Sequence, residues 1–144
     1  MAITSAICTS FKVELLKGFH DFANGGNTFK IALYDSDATL GASTTAFSTS
    51  EEITNTSGTA YTSGGATLTS VTPVASSTTA ICDFSDVSFS SASFTANGAL
   101  IYNSSASNVA VCAIAFGSDK TATNGTFTIQ FPTADATNAI IRLA

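Results

Sequence analysis

Charged residues, histidine and tryptophan are scarce in this sequence of 144 residues. Only 10% of the residues are charged, against roughly 25% in an average soluble protein. The five lysines and arginines are scattered, and the net charge is −5, which excludes the basic patch of a nucleic-acid-binding protein. No apolar run reaches the ~18 residues that a membrane-spanning helix requires. We therefore expect neither nucleic acid nor a membrane among its partners.

Catalytic side chains are equally sparse. Nucleophilic catalysis needs a base beside the nucleophile, but His20 is the only histidine and no Gly-x-Ser-x-Gly turn occurs. Asp35 with Asp37, and Glu51 with Glu52, could serve glycoside hydrolysis or bind calcium. The further ligands of an EF-hand are missing, so we interpret these carboxylates as solvated loop residues. We predict a protein that is not an enzyme, with no catalytic residue, cofactor or metal site.

The three cysteines, Cys8, Cys82 and Cys112, are widely spaced. They form no Cys-x-x-Cys motif and no cysteine–histidine pair, so a zinc site is not indicated. We expect three buried thiols, because free cysteine packs like a small hydrophobic residue. A single Cys82–Cys112 disulfide is the alternative. The first residues lack the basic segment of a signal peptide, so we expect synthesis in a reducing cytosol.

Serine and threonine replace the missing charges, with 20 and 23 copies. Hydrophobic residues still make up 44% of the chain, which excludes a disordered chain. The length is that of one ordinary domain, and we expect residues 1–144 to form it. A surface of hydroxyl and amide groups meets little charge repulsion when it lies against a partner or against copies of itself.

The N-terminal segment alone has helical periodicity. Apolar residues recur every fourth position from Ile7 to Phe19, as in a helix with one buried face. The sequence Asn-Gly-Gly-Asn at 24–27 stops such a helix. The pattern predicts one short helix over 9–22.

The chain from residue 28 to 144 has the patterns of β-strands. Large apolar residues alternate over 29–33 and over 127–131, which indicates strands with one buried face. The runs 99–102 and 109–116 are nearly continuously apolar, and the polar loop between them predicts an antiparallel hairpin. The polar stretch 119–125 is predicted to be a second loop.

Two further strands are expected in this region. One should begin at Ala66. A last strand over 139–143 should be paired in a sheet, because so apolar a terminus rarely frays. Phe94 is out of phase with Val87 and Phe89, which predicts a bulge or turn. Short strands separated by turns are typical of a sandwich or barrel. The predicted fold is mainly β, an antiparallel β-sandwich or barrel-like domain with one short N-terminal helix.

The stretch 36–65 is the least regular part of the sequence. It has few large apolar residues, and we predict a long loop with short strands around 51–53 and 59–62. Loops longer than ~12–15 residues are usually functional or disordered. The loop carries the aromatic side chains of Phe47 and Tyr61, which it could bury in a contact. We therefore interpret it as an interaction loop.

Several segments, taken in order, resemble a family of small structural proteins encoded by tailed bacteriophages, especially aquatic ones. The resemblance spans nearly the whole chain, and its motifs are specific as a series although none is a catalytic signature. It implies a component of the virion and transfers no functional residue. The segments are 9–20 (TSFKVELLKGFH), 28–34 (TFKIALY), 61–65 (YTSGG), 98–103 (GALIYN), 115–120 (AFGSDK) and 127–133 (FTIQFPT).

From this resemblance and the lack of catalytic signatures we predict a capsid decoration, or cement, protein. It would bind the major capsid protein or other virion proteins as a homo-oligomer, for which we expect a trimer. The predicted contact residues are Lys12, Lys17, Phe47 and Tyr61, and the alternative for each is packing inside the domain. The alternative is a tail, neck or fibre component that binds another tail protein or a host glycan.

Overall fold

The computed structural model describes residues 2–54 and 60–144. Antiparallel strands dominate these residues, and the mainly β class with one short helix is confirmed. In chain order the elements are β1 (Ala6–Ile7), α1 (Thr9–Leu16), β2 (Phe29–Tyr34), β3 (Ala66–Thr67), β4 (Ser70–Ser76), β5 (Thr79–Phe84), β6 (Val87–Asn103), β7 (Val109–Ile129) and β8 (Ile141–Leu143).

The strands form two sheets around one core, in a sandwich-like arrangement. The larger sheet has the order β1-β7-β6-β2-β3, and the smaller has the order β4-β5-β8. Phe29 of β2 and Phe84 of β5 join the two sheets, with ring centroids 5.7 Å apart. The alternating apolar residues of β2 and the apolar run of β6 are buried here, as Ile31, Leu33 and Leu100 illustrate.

The central feature is the long hairpin of β6 and β7. Pairing runs from Asn103 opposite Val109 to Val87 opposite Ile129, so the predicted antiparallel hairpin is confirmed. The chain reverses over 104–108, where Ser107 and Asn108 adopt positive φ angles. These left-handed residues allow the tight reversal between the two strands.

The predicted loop over 119–125 is wrong, because these residues lie within β7. Lys120 pairs with Ala96 and Gly125 with Ala92 across the hairpin. The residues that resemble a turn are instead accommodated in bulges, where Gly117 (φ 82°) and Asn124 (φ 48°) bend the strand. The irregularity predicted near Phe94 is confirmed, because the register of β6 shifts on both sides of Ala92.

The helix is shorter than predicted, since α1 ends at Leu16 and not at residue 22. Gly18 has a φ of 77° and turns the chain out of the helix. Its amide donates to the carbonyl of Leu15 (3.1 Å), and the Phe19 amide donates to that of Glu14 (3.0 Å). These two bonds are the Schellman termination, which glycine favours because it has no Cβ.

Of the remaining strand predictions, one is confirmed and the short strands of the long loop are not found as predicted. The C-terminal strand is confirmed, because β8 pairs with β5 at the edge of the smaller sheet. Between 51 and 53 only Glu52 forms an isolated bridge, to Tyr34. Residues 60–62 form no strand, and residue 59 lies outside the described residues. No helix in the described ranges combines the length and the apolar character that crossing a membrane demands.

Candidate interaction surfaces

The end of α1 exposes apolar side chains to solvent. Leu16 is 91% exposed, Phe19 52% and Val13 50%. Lys12 and Lys17, both predicted as contact residues, are exposed beside them. We call these five residues the helix-end surface. Single apolar residues scattered over a protein surface are normal, whereas apolar residues exposed close together in the chain, as here, are candidates for a contact site.

The exposure of Phe19 follows from the way the helix ends. In a Schellman termination the second residue past the helix commonly packs against the residue five positions earlier. That earlier residue is Glu14, whose carboxylate turns inward and bonds His20 Nε2 at 2.9 Å. Glu14 therefore offers Phe19 no apolar surface, and Phe19 remains 52% exposed.

His20 is buried, and both of its ring nitrogens are occupied. Nε2 faces the Glu14 carboxylate, and Nδ1 accepts from the Asn103 side-chain amide at 3.1 Å. The same amide also donates to Asn27 Oδ1 at 3.0 Å. The ring of Phe11 lies 4.8 Å away. With its nitrogens engaged in this way, His20 ties the helix to the large sheet and has no nitrogen free to act on a substrate.

A second apolar surface is a groove of about 940 Å³ along β7. It lies between β7, the short strand β1 and the segment 130–140. We call it the β7 groove. Its volume is in the range of ligand-binding clefts. Its apolar walls include Ile7, Ile114, Phe116, Ala122, Phe127 and Phe131.

The curvature of β7 creates this groove. Phe116 and Phe127 are eleven residues apart, which would be ~36 Å in a straight strand, yet their ring centroids lie 6.2 Å apart. The bulges at Gly117 and Asn124 allow this bend. Along the open edge, β1 pairs with β7 only at Ala113 and Cys112 among the described residues. The groove therefore continues past the end of β1 with its apolar walls uncovered.

Carboxylate oxygens of Asp35, Asp37 and Glu51 lie within 4.8 Å of one another. Oxygen ligands of this kind suit hard cations such as Ca²⁺. Asp37 and Glu51 are exposed, and the Asp37 amide donates to Asp35 Oδ1 at 2.9 Å. This arrangement fits the predicted solvated loop, and exposed carboxylates commonly cluster without an ion.

The two aromatic residues predicted as contacts lie inside the fold. Tyr61 is fully buried, and its ring centroid is 5.8 Å from that of Phe89. Phe47 is half-buried and stacks on Tyr102, with centroids 4.6 Å apart. For Tyr61 the alternative of packing within the domain is therefore the correct one, and Phe47 keeps only part of its ring accessible.

Glu52 is a structural residue that the sequence analysis missed. Its buried carboxylate accepts from the Tyr61 hydroxyl (2.5 Å), the Gly64 amide (2.6 Å) and the Ser63 hydroxyl (2.8 Å). Burial, together with the bond to Glu52, raises the pKa of Tyr61, so its hydroxyl remains a donor. Glu51 and Glu52 are indistinguishable in sequence, and no local pattern shows which one points inward.

All three cysteines are buried as free thiols, so the expectation of buried thiols is confirmed and the disulfide does not form. Burial raises the pKa of Cys8 to about 11, with a smaller contribution from the charge of Glu14. Burial likewise raises the pKa of Cys82 and of Cys112 to about 12. Thiols of this kind are protonated at neutral pH and chemically inert.

Comparisons with protein-family models, with curated proteins and with solved structures give no match to this chain.

Proposed function

We propose that this protein is a non-enzymatic structural component of a bacteriophage virion, and specifically a capsid decoration protein. It is made in the host cytoplasm and binds the outside of the assembled shell, with the major capsid protein and copies of itself as partners. The observation that carries the proposal is the pair of uncovered apolar surfaces, the helix-end surface and the β7 groove, on one small chain. Contiguous exposed apolar surfaces of this kind mark protein contacts.

The outer face of the β6–β7 hairpin supports the same role. Hydroxyl groups pair across the strands there, with Ser88 and Thr128 3.0 Å apart and Thr95 and Thr121 2.8 Å apart. These pairs are exposed and uncharged. Such a face can lie against a protein shell at little cost in charge desolvation, because it holds hydroxyl groups that can bond a partner or water.

The mechanism of a decoration protein is linkage. A protein that binds the assembled shell, and not its separated subunits, stabilises the assembled state by mass action. At a free concentration 100 times the dissociation constant, each occupied site contributes ~2.7 kcal/mol. A small stable domain present in many copies can therefore strengthen a shell without any covalent chemistry.

The chemistry of the chain supports a non-enzymatic role. His20 has both nitrogens engaged by Glu14 and Asn103, and the three thiols are buried. The acidic group of Asp35, Asp37 and Glu51 lies in an exposed loop, apart from both apolar surfaces. Asp37 and Glu51 line a separate cleft of about 460 Å³, whose described lining residues include no histidine or cysteine.

A tail, neck or fibre component is the second candidate. The hydroxyl-rich face of the hairpin favours it, since hydroxyl and amide groups can bond a glycan or another tail protein. The two candidates differ in the number of copies that each particle carries.

The test is the copy number of this chain in purified particles, measured by quantitative mass spectrometry against the major capsid protein. Decoration of the shell predicts a count comparable to that of the capsid protein. It also predicts that particles without this chain lose their DNA at a lower temperature. A count far below that of the capsid protein would reject decoration and favour the tail or neck, and absence from particles would reject both candidates.

A further inference from the structure

We propose that the β7 groove binds an extended peptide segment of another virion protein, which joins the large sheet as a strand beside β7. This inference deepens the proposed function and rests on it for the source of the segment. The claim that the groove takes an extended peptide concerns the purified chain alone.

The β7 groove runs along one edge of β7. All the residues over 125–129 line it. Because successive side chains of a strand point to opposite faces of its sheet, a groove over one face would be lined by alternate residues only. β6 pairs with one edge of β7, and none of the described lining residues belongs to β6. The groove therefore follows the edge of β7 that faces away from β6.

This edge of β7 has no partner strand over most of its length. β1 pairs with it at Cys112 and Ala113, and the Ala115 amide donates to the Ser5 hydroxyl at 2.8 Å. Over 116–129 no strand in the described parts of the chain pairs with β7 from this side. Alternate residues of an antiparallel strand direct their backbone N–H and C=O groups to each edge. Those of an open edge are a template for a further strand.

β1 shows how a strand occupies this groove. Both of its residues, Ala6 and Ile7, line the groove, and β1 runs antiparallel to β7. The chain before β1 leaves β7, since the Thr4 amide donates to the Leu40 carbonyl at 2.9 Å. The bound segment therefore continues the edge at the point where β1 leaves it.

The walls of the groove determine which side chains the segment carries. Phe116, Phe127 and Ile140 are partly exposed there, so they can pack against apolar side chains at alternate positions of an added strand. Asp119 and Lys120 are neighbours in the lining, and their opposite charges cancel, so we expect a segment without net charge. An acyl chain would cover the same walls, but it would remove water from the backbone edge without replacing its hydrogen bonds.

The segment comes from a different protein, because the strands at the two ends of the described chain are already paired. β1 pairs with β7, and β8 pairs with β5. Residues 1 and 55–59, which lie outside the described ranges, have no alternating apolar pattern. The edge strand β4 contains Pro73, which has no amide hydrogen to donate to a second copy. Within the proposed function the source is a neighbouring protein of the shell.

The first experiment selects binders of the purified full chain from a random library of peptides of about ten residues, the usual upper length of a strand. We expect the enriched peptides to alternate apolar with polar residues and to carry no net charge. No enrichment, or enrichment of apolar residues at helical spacing, would overturn the proposal.

Variants of the full chain locate the binding site. Thr126→Arg places a charge in the groove from an exposed position and should weaken binding at least ~tenfold. Ala139→Arg does so from the opposite wall in case the first variant fails to fold. Thr123→Arg is the matched control, because Thr123 is exposed on the same strand and lies outside the described lining. Circular dichroism and unfolding midpoints establish that each variant is folded, and equal affinities of the groove variants and the control would overturn the proposal.

The second experiment tests whether the peptide backbone bonds β7. The tightest selected peptide is synthesised unmodified, with N-methyl groups on its odd-numbered amides, and with N-methyl groups on its even-numbered amides. Only one of these sets of amides points to β7 in an added strand. One methylated form should therefore lose affinity at least ~tenfold through its missing hydrogen bonds, and the other should bind as the unmodified peptide does. Equal affinities of the two methylated forms would reject an extended backbone and favour an apolar ligand of another shape.

The third experiment tests the source of the segment with an array of overlapping peptides from the proteins of the purified particle, this chain included. We expect the chain to bind a peptide from a shell protein. Binding to peptides of this chain alone would make a second copy the occupant and overturn the assigned source, as would the absence of any bound shell peptide. A low copy number in particles would reject decoration of the shell but leave the library selection unchanged, so the two proposals fail separately.

Discussion

Replacing Glu52 by alanine tests whether one buried carboxylate holds the long loop to the core. In the native protein Glu52 accepts three hydrogen bonds, from Tyr61, Ser63 and Gly64. These donors follow it by nine to twelve residues. The substitution removes all three acceptor contacts at once and puts no other group in their place.

The magnitude follows from the burial of each donor. Ser63 is exposed and can bond water, so its loss contributes little. The Tyr61 hydroxyl is buried and the Gly64 amide half-buried, and each donor left without an acceptor costs about 1–3 kcal/mol. Removing a buried carboxylate also removes its desolvation penalty, which offsets part of this cost. We expect a loss of about 3 kcal/mol in the free energy of unfolding, or a fall of about 10 °C in Tm.

The assay is urea unfolding followed by far-UV circular dichroism, because the chain has no tryptophan. Glu51→Ala is the matched control: it removes the adjacent, exposed carboxylate and should change stability by less than about 0.5 kcal/mol. Glu52→Gln keeps one acceptor oxygen and should lose about 1 kcal/mol. Equal unfolding midpoints for Glu52→Ala and Glu51→Ala would refute the reasoning.

Three further predictions test the core, a close backbone approach and a surface turn. The native thiols, whose pKa values burial raises to about 11 or 12, should not react with a disulfide reagent at pH 8 until the protein unfolds, and one fast-reacting thiol would contradict this. Gly65→Ala should abolish folding or lower the free energy of unfolding by more than about 3 kcal/mol, because the added Cβ would lie 1.8 Å from the Ile31 carbonyl oxygen. Gly25 has a similar φ but open space around it, so Gly25→Ala should cost only about 1 kcal/mol in urea unfolding. Equal losses for the two variants would refute the steric cause. Hydrogen bonds from Thr137 and Asn138 lower the pKa of Asp135 to about 2, so an NMR titration should show a depressed midpoint that Thr137→Val raises, and an unchanged midpoint would contradict the role of that hydroxyl.

The features that the sequence predicted correctly are those that depend on residues close together in the chain. Alternating apolar residues at 29–33 predicted β2, because a strand places successive side chains on opposite faces of a sheet. The polar stretch before Val109 predicted the hairpin, because left-handed turn residues must lie where two strands reverse. Cysteine burial was also predictable, since a free thiol without a motif behaves as an apolar side chain.

The helix end and the polar stretch of β7 show where such patterns fail. Apolar residues recur at every fourth position as far as Phe19, but Gly18 allows a Schellman turn that ends the helix at Leu16. The residues 119–125 have turn composition, yet they form part of β7 because β6 pairs with them across two bulges. In both places a backbone conformation available to one glycine or asparagine decided between two structures that the composition permits.

The sequence by itself determined the mainly β class, the short helix near the N-terminus, the buried thiols and the charge-poor surface, because each depends on composition or on short-range periodicity. Only the tertiary structure decided which side chains meet. His20 bonds Asn103, 83 residues away, and Phe116 reaches Phe127 only because β7 bends. Contacts between residues so far apart depend on strand register and curvature, and these are properties of the packed chain as a whole. The same reason explains why Tyr61 lies in the core and Leu16 faces solvent.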